Sequence, residues 1–241
     1  MIKIYGRNVC KEAIRANRKI FNAYVTKAFY DKEKYIISDL EKLNVKIDIV
    51  DKSKLDNLGL HQGIALDVEE YKVYSLEEVL TSDKQYFLIL DGIVDPHNLG
   101  AIMRTADATG LDGIIIPKNR SVSLNSTVAK VSTGAIEYVK IIEVNNINRC
   151  LETLKEKGFW IYGTDMNATV DYTDIDISTS IAIVIGNEGE GMSRLVREKC
   201  DYICSIPMEG HVNSLNASVS ASILLYEILR KKLNKQSIIH S

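Results

Sequence analysis

From Tyr86 onward the chain repeats one unit, a short unbroken apolar run followed by a helical segment. The runs are YFLIL (86–90), GIIIP (113–117), VKIIEV (139–144), FWIYGTD (159–165), IAIVIG (181–186) and YICSIP (202–207). Helical patterning covers 99–109, 125–136, 146–157, 192–199 and 216–233. A strand with one face in water alternates apolar and polar residues. These runs are apolar throughout and rich in β-branched residues, so both faces are buried. The pattern predicts an α/β fold, a parallel sheet with crossover helices on both sides. Ligands of such sheets collect beyond the carboxyl ends of the strands, so the loops after these runs are where chemistry is expected.

The first seventy residues read differently. VCKEAIRA is helical, NAYVTK strand-like, KEKYIISDLEKLN an amphipathic helix, and VKIDIVD and GIALDVEEY are strands. This predicts a small α/β unit over 1–75. The charged stretch SLEEVLTSDKQ then suits a linker over 76–84, and 85–241 forms the large domain. At 241 residues and 46% hydrophobic, the chain has material for such cores. No apolar run reaches the roughly 18 residues of a membrane helix, and the charged N-terminus has no signal-peptide core. A cytoplasmic protein is expected. Cys10, Cys150, Cys200 and Cys204 suggest no disulfide framework. Cys200 and Cys204 lack the partners of a zinc site, and no metal is expected.

Net charge is −2, yet residues 1–30 hold seven Lys or Arg against the single acid Glu12. Such a cationic end can meet a polyanion through Arg7, Lys11, Arg15 and Arg18, or it can simply solvate a helix.

Three loops follow strands of the large domain. In DGIVDPHNLGAIMRTADATG (91–110), Asn98 suits the N-cap of a helix from Leu99, and Gly110 its stop. Leu99, Ile102, Met103 and Ala106 share the apolar face, which Arg104 leaves. Helical side chains lean toward the N-terminus, so Arg104 is aimed over Gly100 toward 95–98. The plainer reading pairs it with Asp107. In IGNEGEGMSRL (185–195), Gly186, Gly189 and Gly191 surround Glu188 and Glu190. The loop lacks the Lys-Ser/Thr of a phosphate loop, and its acids suit hydroxyl or ammonium donors; a bare strand-to-helix turn is the alternative. In SIPMEGHVNSLNASVSAS (205–222), Ser214 and Asn216 stand at the mouth of a helix rich in small residues. Capping by Asn213 or Ser214 is the structural reading. His211 reads as a surface residue.

Taken in order, DPHNLGAIMRTADATG, IVIGNEGEGMS and SIPMEGHVNSLNASVS resemble the three motifs of the SpoU group of SPOUT RNA methyltransferases, over about 84–232. YGRNVCKEAI and HQGIALDV resemble the small RNA substrate-binding domain, related to a ribosomal-protein fold, of the 23S rRNA guanosine 2′-O-methyltransferase branch. The resemblance implies S-adenosylmethionine as methyl donor, a ribose 2′-hydroxyl as acceptor, a homodimer, and a trefoil knot in the C-terminal domain. Asn98, Arg104, Glu188, Ser214 and Asn216 match catalytic-site positions. Gly186, Gly191, Ile206 and Leu215 match positions that hold the cofactor. The serine-rich NASVSAS and His211 depart from the group's pattern. The family assigns Arg104 as a base, but a guanidinium keeps its proton at neutral pH. A cation that grips phosphate and stabilises a developing alkoxide is the energetically simpler role.

The expected function is therefore methyl transfer to a ribose 2′-hydroxyl, most directly of a 23S rRNA guanosine. The alternatives are the same chemistry on tRNA or another rRNA nucleotide, and a non-catalytic RNA-binding or ribosome-assembly module. A dinucleotide enzyme is disfavoured, because no G-x-G-x-x-G follows the first strand of the large domain.

Overall fold

The computed structural model describes residues 1–239 except positions 120, 167, 169 and 213, and the side chains of 236–239 are not described. Asn213, one of the two expected caps, therefore lies outside the described residues. The strands are β1 (Ile2–Tyr5), β2 (Ile20–Thr26), β3 (Lys46–Val50), β4 (Ile64–Val68), β5 (Val73–Tyr74), β6 (Tyr86–Asp91), β7 (Gly113–Pro117), β8 (Ile141–Val144), β9 (Trp160–Thr164), β10 (Val170–Asp171), β11 (Ile181–Gly186) and β12 (Tyr202–Ser205). The helices are α1 (Arg7–Arg15), α2 (Lys27–Lys32), α3 (Lys34–Lys42), α4 (Leu76–Val79), α5 (Pro96–Thr109), α6 (Ser126–Val131), α7 (Ile147–Glu156), α8 (Arg194–Lys199) and α9 (Ala217–Ile239).

Two compact units result. The first comprises Met1–Lys72 with Ser123–Tyr138, the second Val73–Val122 with Val139–Ser241. The first unit is a four-stranded sheet in the order β1-β4-β2-β3, with only β2 and β3 parallel. Helix α1 buries Val9, Cys10, Ala13 and Ile14 at helical spacing.

Residues 123–138 differ from the expected division, which kept 85–241 whole. Gly134, at φ +91°, brings its Cα against the Glu12 side chain, so close that a Cβ there would lie 2.6 Å from Glu12 Cβ. Tyr138 donates to Glu12 Oε2 at 2.8 Å. Glu137 accepts two hydrogen bonds from Arg18 Nη1, at 2.9 and 3.1 Å. These pairings are non-local, and hydrophobic periodicity carries no trace of them.

The second unit is one eight-stranded sheet, β10-β12-β9-β11-β6-β7-β8-β5, parallel at every pairing. Apolar runs without alternation thus lie where both faces are covered. One face holds Phe87, Ile89, Ile115, Ile142, Ile161 and Val184 against Leu151 and Leu154 of α7. Leu88, Ile114 and Ile183 alternate with these residues along their strands and are fully buried. The expected linker belongs to this unit. Ser75 and Glu78 form a capping box for α4, and Leu76 and Val79 join the core.

Candidate active site

Helix α5 begins earlier than its sequence suggests. Asp95 is the N-cap, accepting the His97 N–H at 2.9 Å, and Pro96 occupies the first turn. An Asp-Pro start satisfies one orphan donor and omits another, which outranks Asn98 as a cap. Gly110 ends the helix in the left-handed region, as expected. Asn98 therefore sits inside the first turn with its amide free to bond elsewhere. It donates from Nδ2 to Glu188 Oε1 at 2.8 Å.

Glu188 lies in the loop after β11. Gly186 ends that strand with the returning backbone pressed on it, and a Cβ there would lie 2.1 Å from the carbonyl carbon of Gly191. The Asn187 and Gly191 backbones exchange hydrogen bonds at 3.0 and 2.8 Å. Asn187 donates to the Gly92 carbonyl at 3.1 Å and accepts from Gly189 N–H at 2.8 Å. Gly191 itself is at φ +68°. Both glycines are thus demanded by the loop, one by close approach and one by backbone sign.

Asn216 completes the cluster and also caps α9. Its Oδ1 accepts the Ser218 N–H at 2.9 Å and the Val219 N–H at 3.4 Å. Its Nδ2 donates to Asn98 Oδ1 at 3.0 Å and to Glu188 Oε1. The Ala217 N–H reaches the same carboxylate oxygen at 3.2 Å. Glu188 Oε1 therefore accepts three donors, while Oε2 accepts none among the described residues.

Beside this cluster a cavity of about 320 Å³ opens at the carboxyl ends of β9, β11 and β12. Gly186, Glu188, Gly191, Ile206, Ser214 and Leu215, all singled out from sequence, line it. Thr164, Asp165 and Met166 line it too, and sequence reasoning passed over them. Their signal was position alone, since they follow a strand of a parallel sheet.

Arg104 is not brought to the cavity. It is exposed on α5 and makes no hydrogen bond or ion pair among the described residues, so the surface pair with Asp107 does not form. Its neighbour Thr105 shares a hydrogen bond of 2.9 Å with Ser222 of α9. His211 is exposed and outside the cavity wall.

In the first unit the four cations part company. Arg7 pairs with Glu33 at 3.1 Å and Arg15 with Glu12 at 2.9 Å, both half-exposed. Lys11 makes no ion pair among the described residues. Arg18 departs from the expected RNA-facing set. Its side chain is 8% exposed, paired to Glu137, bonded to the Glu69 carbonyl, and 3.6 Å from the centre of the Tyr71 ring. Four of its five N–H groups are spent on Glu69 and Glu137, and the side chain is enclosed.

The sequence profile of the SpoU rRNA methylase family matches residues 85–226. The chain belongs to that family. Residues 3–74 match the profile for RNA 2′-O ribose methyltransferase substrate binding, so the first part of the chain is similar to an RNA substrate-binding domain, as expected. Among relatives, a protein of Staphylococcus aureus (strain COL) assigned to the TrmH family of tRNA/rRNA methyltransferases is 47% identical over 237 residues, covering 95% of this chain and 96% of its own. A crystal structure of an RNA 2′-O ribose methyltransferase superposes with a TM-score of 0.79 at 27% identity, covering 96% of this chain and 88% of its own. The SpoU methyltransferase AviRb from Streptomyces viridochromogenes, solved with S-adenosylmethionine, shares the fold with a TM-score of 0.83 at 24% identity, covering 96% and 90% of the two chains. This SpoU chain is an RNA methyltransferase. No helix among its described residues is long and apolar enough to cross a membrane.

Proposed function

We propose that the protein transfers a methyl group from S-adenosylmethionine to a ribose 2′-hydroxyl of RNA, the acceptor being a guanosine of 23S rRNA. The observation that carries this reading is the bonded cluster of Asn98, Glu188 and Asn216, one residue from each motif, beside a cavity walled by the second and third. The cavity fits the cofactor. Gly186, Gly191, Ile206 and Leu215 offer backbone groups and apolar wall, while Glu188 and Asp165 suit its ammonium and hydroxyls. Bound there, the sulfonium supplies an activated methyl.

The residues of the chain supply position and charge. Three donors on one oxygen fix the orientation of the Glu188 carboxylate, leaving Oε2 for a donor of the bound molecules. Ser214 adds a hydroxyl at the rim. Arg104, exposed and with no partner among the described residues, stays available to an RNA phosphate and to the negative charge that gathers on the 2′-oxygen as its proton passes to solvent water. Because Arg104 stands off the cavity of its own chain, the reading includes a second copy in a homodimer. Val219, Tyr226 and Leu233 support this, lying exposed at seven-residue intervals along α9. The knotted C-terminal segment belongs to the same reading.

Arg7, Lys11 and Arg15 provide the phosphate-binding groups of the first unit. The family's name, which refers to ribosomal RNA, supports that acceptor over transfer RNA. Methyl transfer with labelled S-adenosylmethionine to total RNA from cells lacking the protein, followed by mapping of the modified nucleotide, tests the proposal. A 2′-O-methylguanosine in 23S rRNA is expected. Label in tRNA or at a base atom overturns it.

A further inference from the structure

A second cavity, of about 780 Å³, lies on the other side of the loop 187–192. Asn187, Glu190 and Gly191 line both cavities, so the loop is a shared wall. The second cavity stands beyond the ends of β6 and β7, at Asp91 and Pro117. Strands β6 and β11 are neighbours, yet β6 leads on to β7 on one side and β11 to β12 on the other. The chain thus reverses its winding direction between them, the position where open α/β sheets bind ligands. The cofactor cavity sits to one side of this crevice, leaving the crevice itself unassigned.

Its wall is amide-rich. Asn119 lines it without a hydrogen-bond partner among the described residues. Asn146 spends its Oδ1 on the Arg149 N–H at 3.1 Å, keeping its NH₂. Asn148 has a buried Oδ1 with no hydrogen-bond partner among the described residues. An acceptor left so is costly unless something donates to it. Val94, Pro117 and Met192 supply flat apolar surface. Charge argues against an anion. Among the described lining residues, Asp91 and Glu190 face one cation, Arg194, which is turned out to solvent toward Glu198. Neutral amides read the edges of bases, and apolar side chains cover their faces.

We propose that this cavity holds an unstacked nucleobase of the RNA substrate, with Asn119, Asn146 and Asn148 reading its edge. The inference rests on RNA being the substrate. The shared loop then places the base and the cofactor on opposite sides of one wall, and discrimination between nucleotides resides in the three amides.

Saturation-transfer NMR tests this on full-length protein saturated with S-adenosylhomocysteine, which closes the cofactor cavity to adenosine. The probes are adenosine, guanosine, cytidine and uridine, with ribose 5-phosphate as comparison. At least one nucleoside should bind better than ribose 5-phosphate, and Asn119→Ala with Asn148→Leu should weaken it about tenfold. The same double variant should raise KM for RNA about tenfold with cofactor affinity and melting temperature held. Equal binding of ribose 5-phosphate, unchanged nucleoside binding, or an unchanged KM overturns the base pocket while the methyltransferase reading stands. Failure of the wild-type protein to methylate any RNA would instead remove the reading beneath it.

Discussion

The side-chain amide of Asn216 donates to Oδ1 of Asn98, 118 positions earlier in the chain, at 3.0 Å. The same amide group meets Glu188, while the Asn216 oxygen caps α9. One side chain thus joins helix start, acidic loop and first motif, and its two jobs can be separated by substitution.

Asn216→Ser keeps a capping oxygen and removes the amide. Thermal unfolding should stay near wild type, since Ser and Asn cap about equally well, whereas Asn216→Ala should cost about 1 kcal/mol. Methyl transfer should fall about tenfold or more in both, as Glu188 loses a donor. Full activity in Asn216→Ser would leave the residue as a cap alone.

Arg104 is exposed and makes no hydrogen bond or ion pair among the described residues. Arg104→Ala should therefore change stability by less than about 0.5 kcal/mol and leave cofactor binding intact. Methyl transfer should drop about 10²-fold or more. Rescue by Arg104→Lys marks a simple charge role, and failure of Lys marks fork-shaped phosphate recognition. Wild-type turnover in Arg104→Ala would remove the residue from the site.

The two loop glycines should fail differently. Gly186→Ala drives a methyl group into backbone at 2.1 Å and should cost about 3 kcal/mol or more, so lost cofactor binding there reports a broken loop. At Gly191 a Cβ meets nothing within 4 Å, and alanine pays only for its positive φ, about 1 kcal/mol. Calorimetric cofactor titration alongside chemical denaturation separates the two.

Among the cations of the first unit, burial sets the outcome. Arg18→Ala leaves Glu137 buried and unpaired and should destabilise by about 3–5 kcal/mol. Neutralising Arg7, Lys11 and Arg15 should cost little stability. It should make RNA affinity less salt-dependent, by about 0.7–0.9 in log–log slope for each phosphate that is no longer neutralised. An unchanged slope would assign those charges to solvation.

Burial pushes the thiols of Cys150 and Cys200 up to about 12 and that of Cys204 to about 11, from an ordinary 9.0. At pH 8 the thiolate fraction of Cys150 should be about 10³-fold below that of an unfolded cysteine, so thiol reagents should label the native protein slowly. Each raised pKa contributes stability present below pH 9 and lost as pH rises through 11 to 12, because only the unfolded thiol ionises early. Denaturation midpoints between pH 8 and 11 should fall accordingly, and less so in Cys150→Ala.

What the sequence determined by itself is local. Apolar runs without alternation required strands buried on both faces, and the spacing of Leu99, Ile102, Met103 and Ala106 required α5 to face the core, since each follows from the period of one element. The three motifs were legible because their polar residues fall within short windows. The rest depended on pairings between distant segments. The Asp95 cap freed Asn98 to reach Glu188 across 90 positions. The return of 123–138 to the first unit buried Arg18 against Glu137, across 119 positions. Charge counting saw Arg18 as one more cation in a basic stretch, but only the folded neighbourhood shows that its charge is already neutralised. No local pattern encodes such a pairing, because its free energy comes from groups that the chain brings together only when folded.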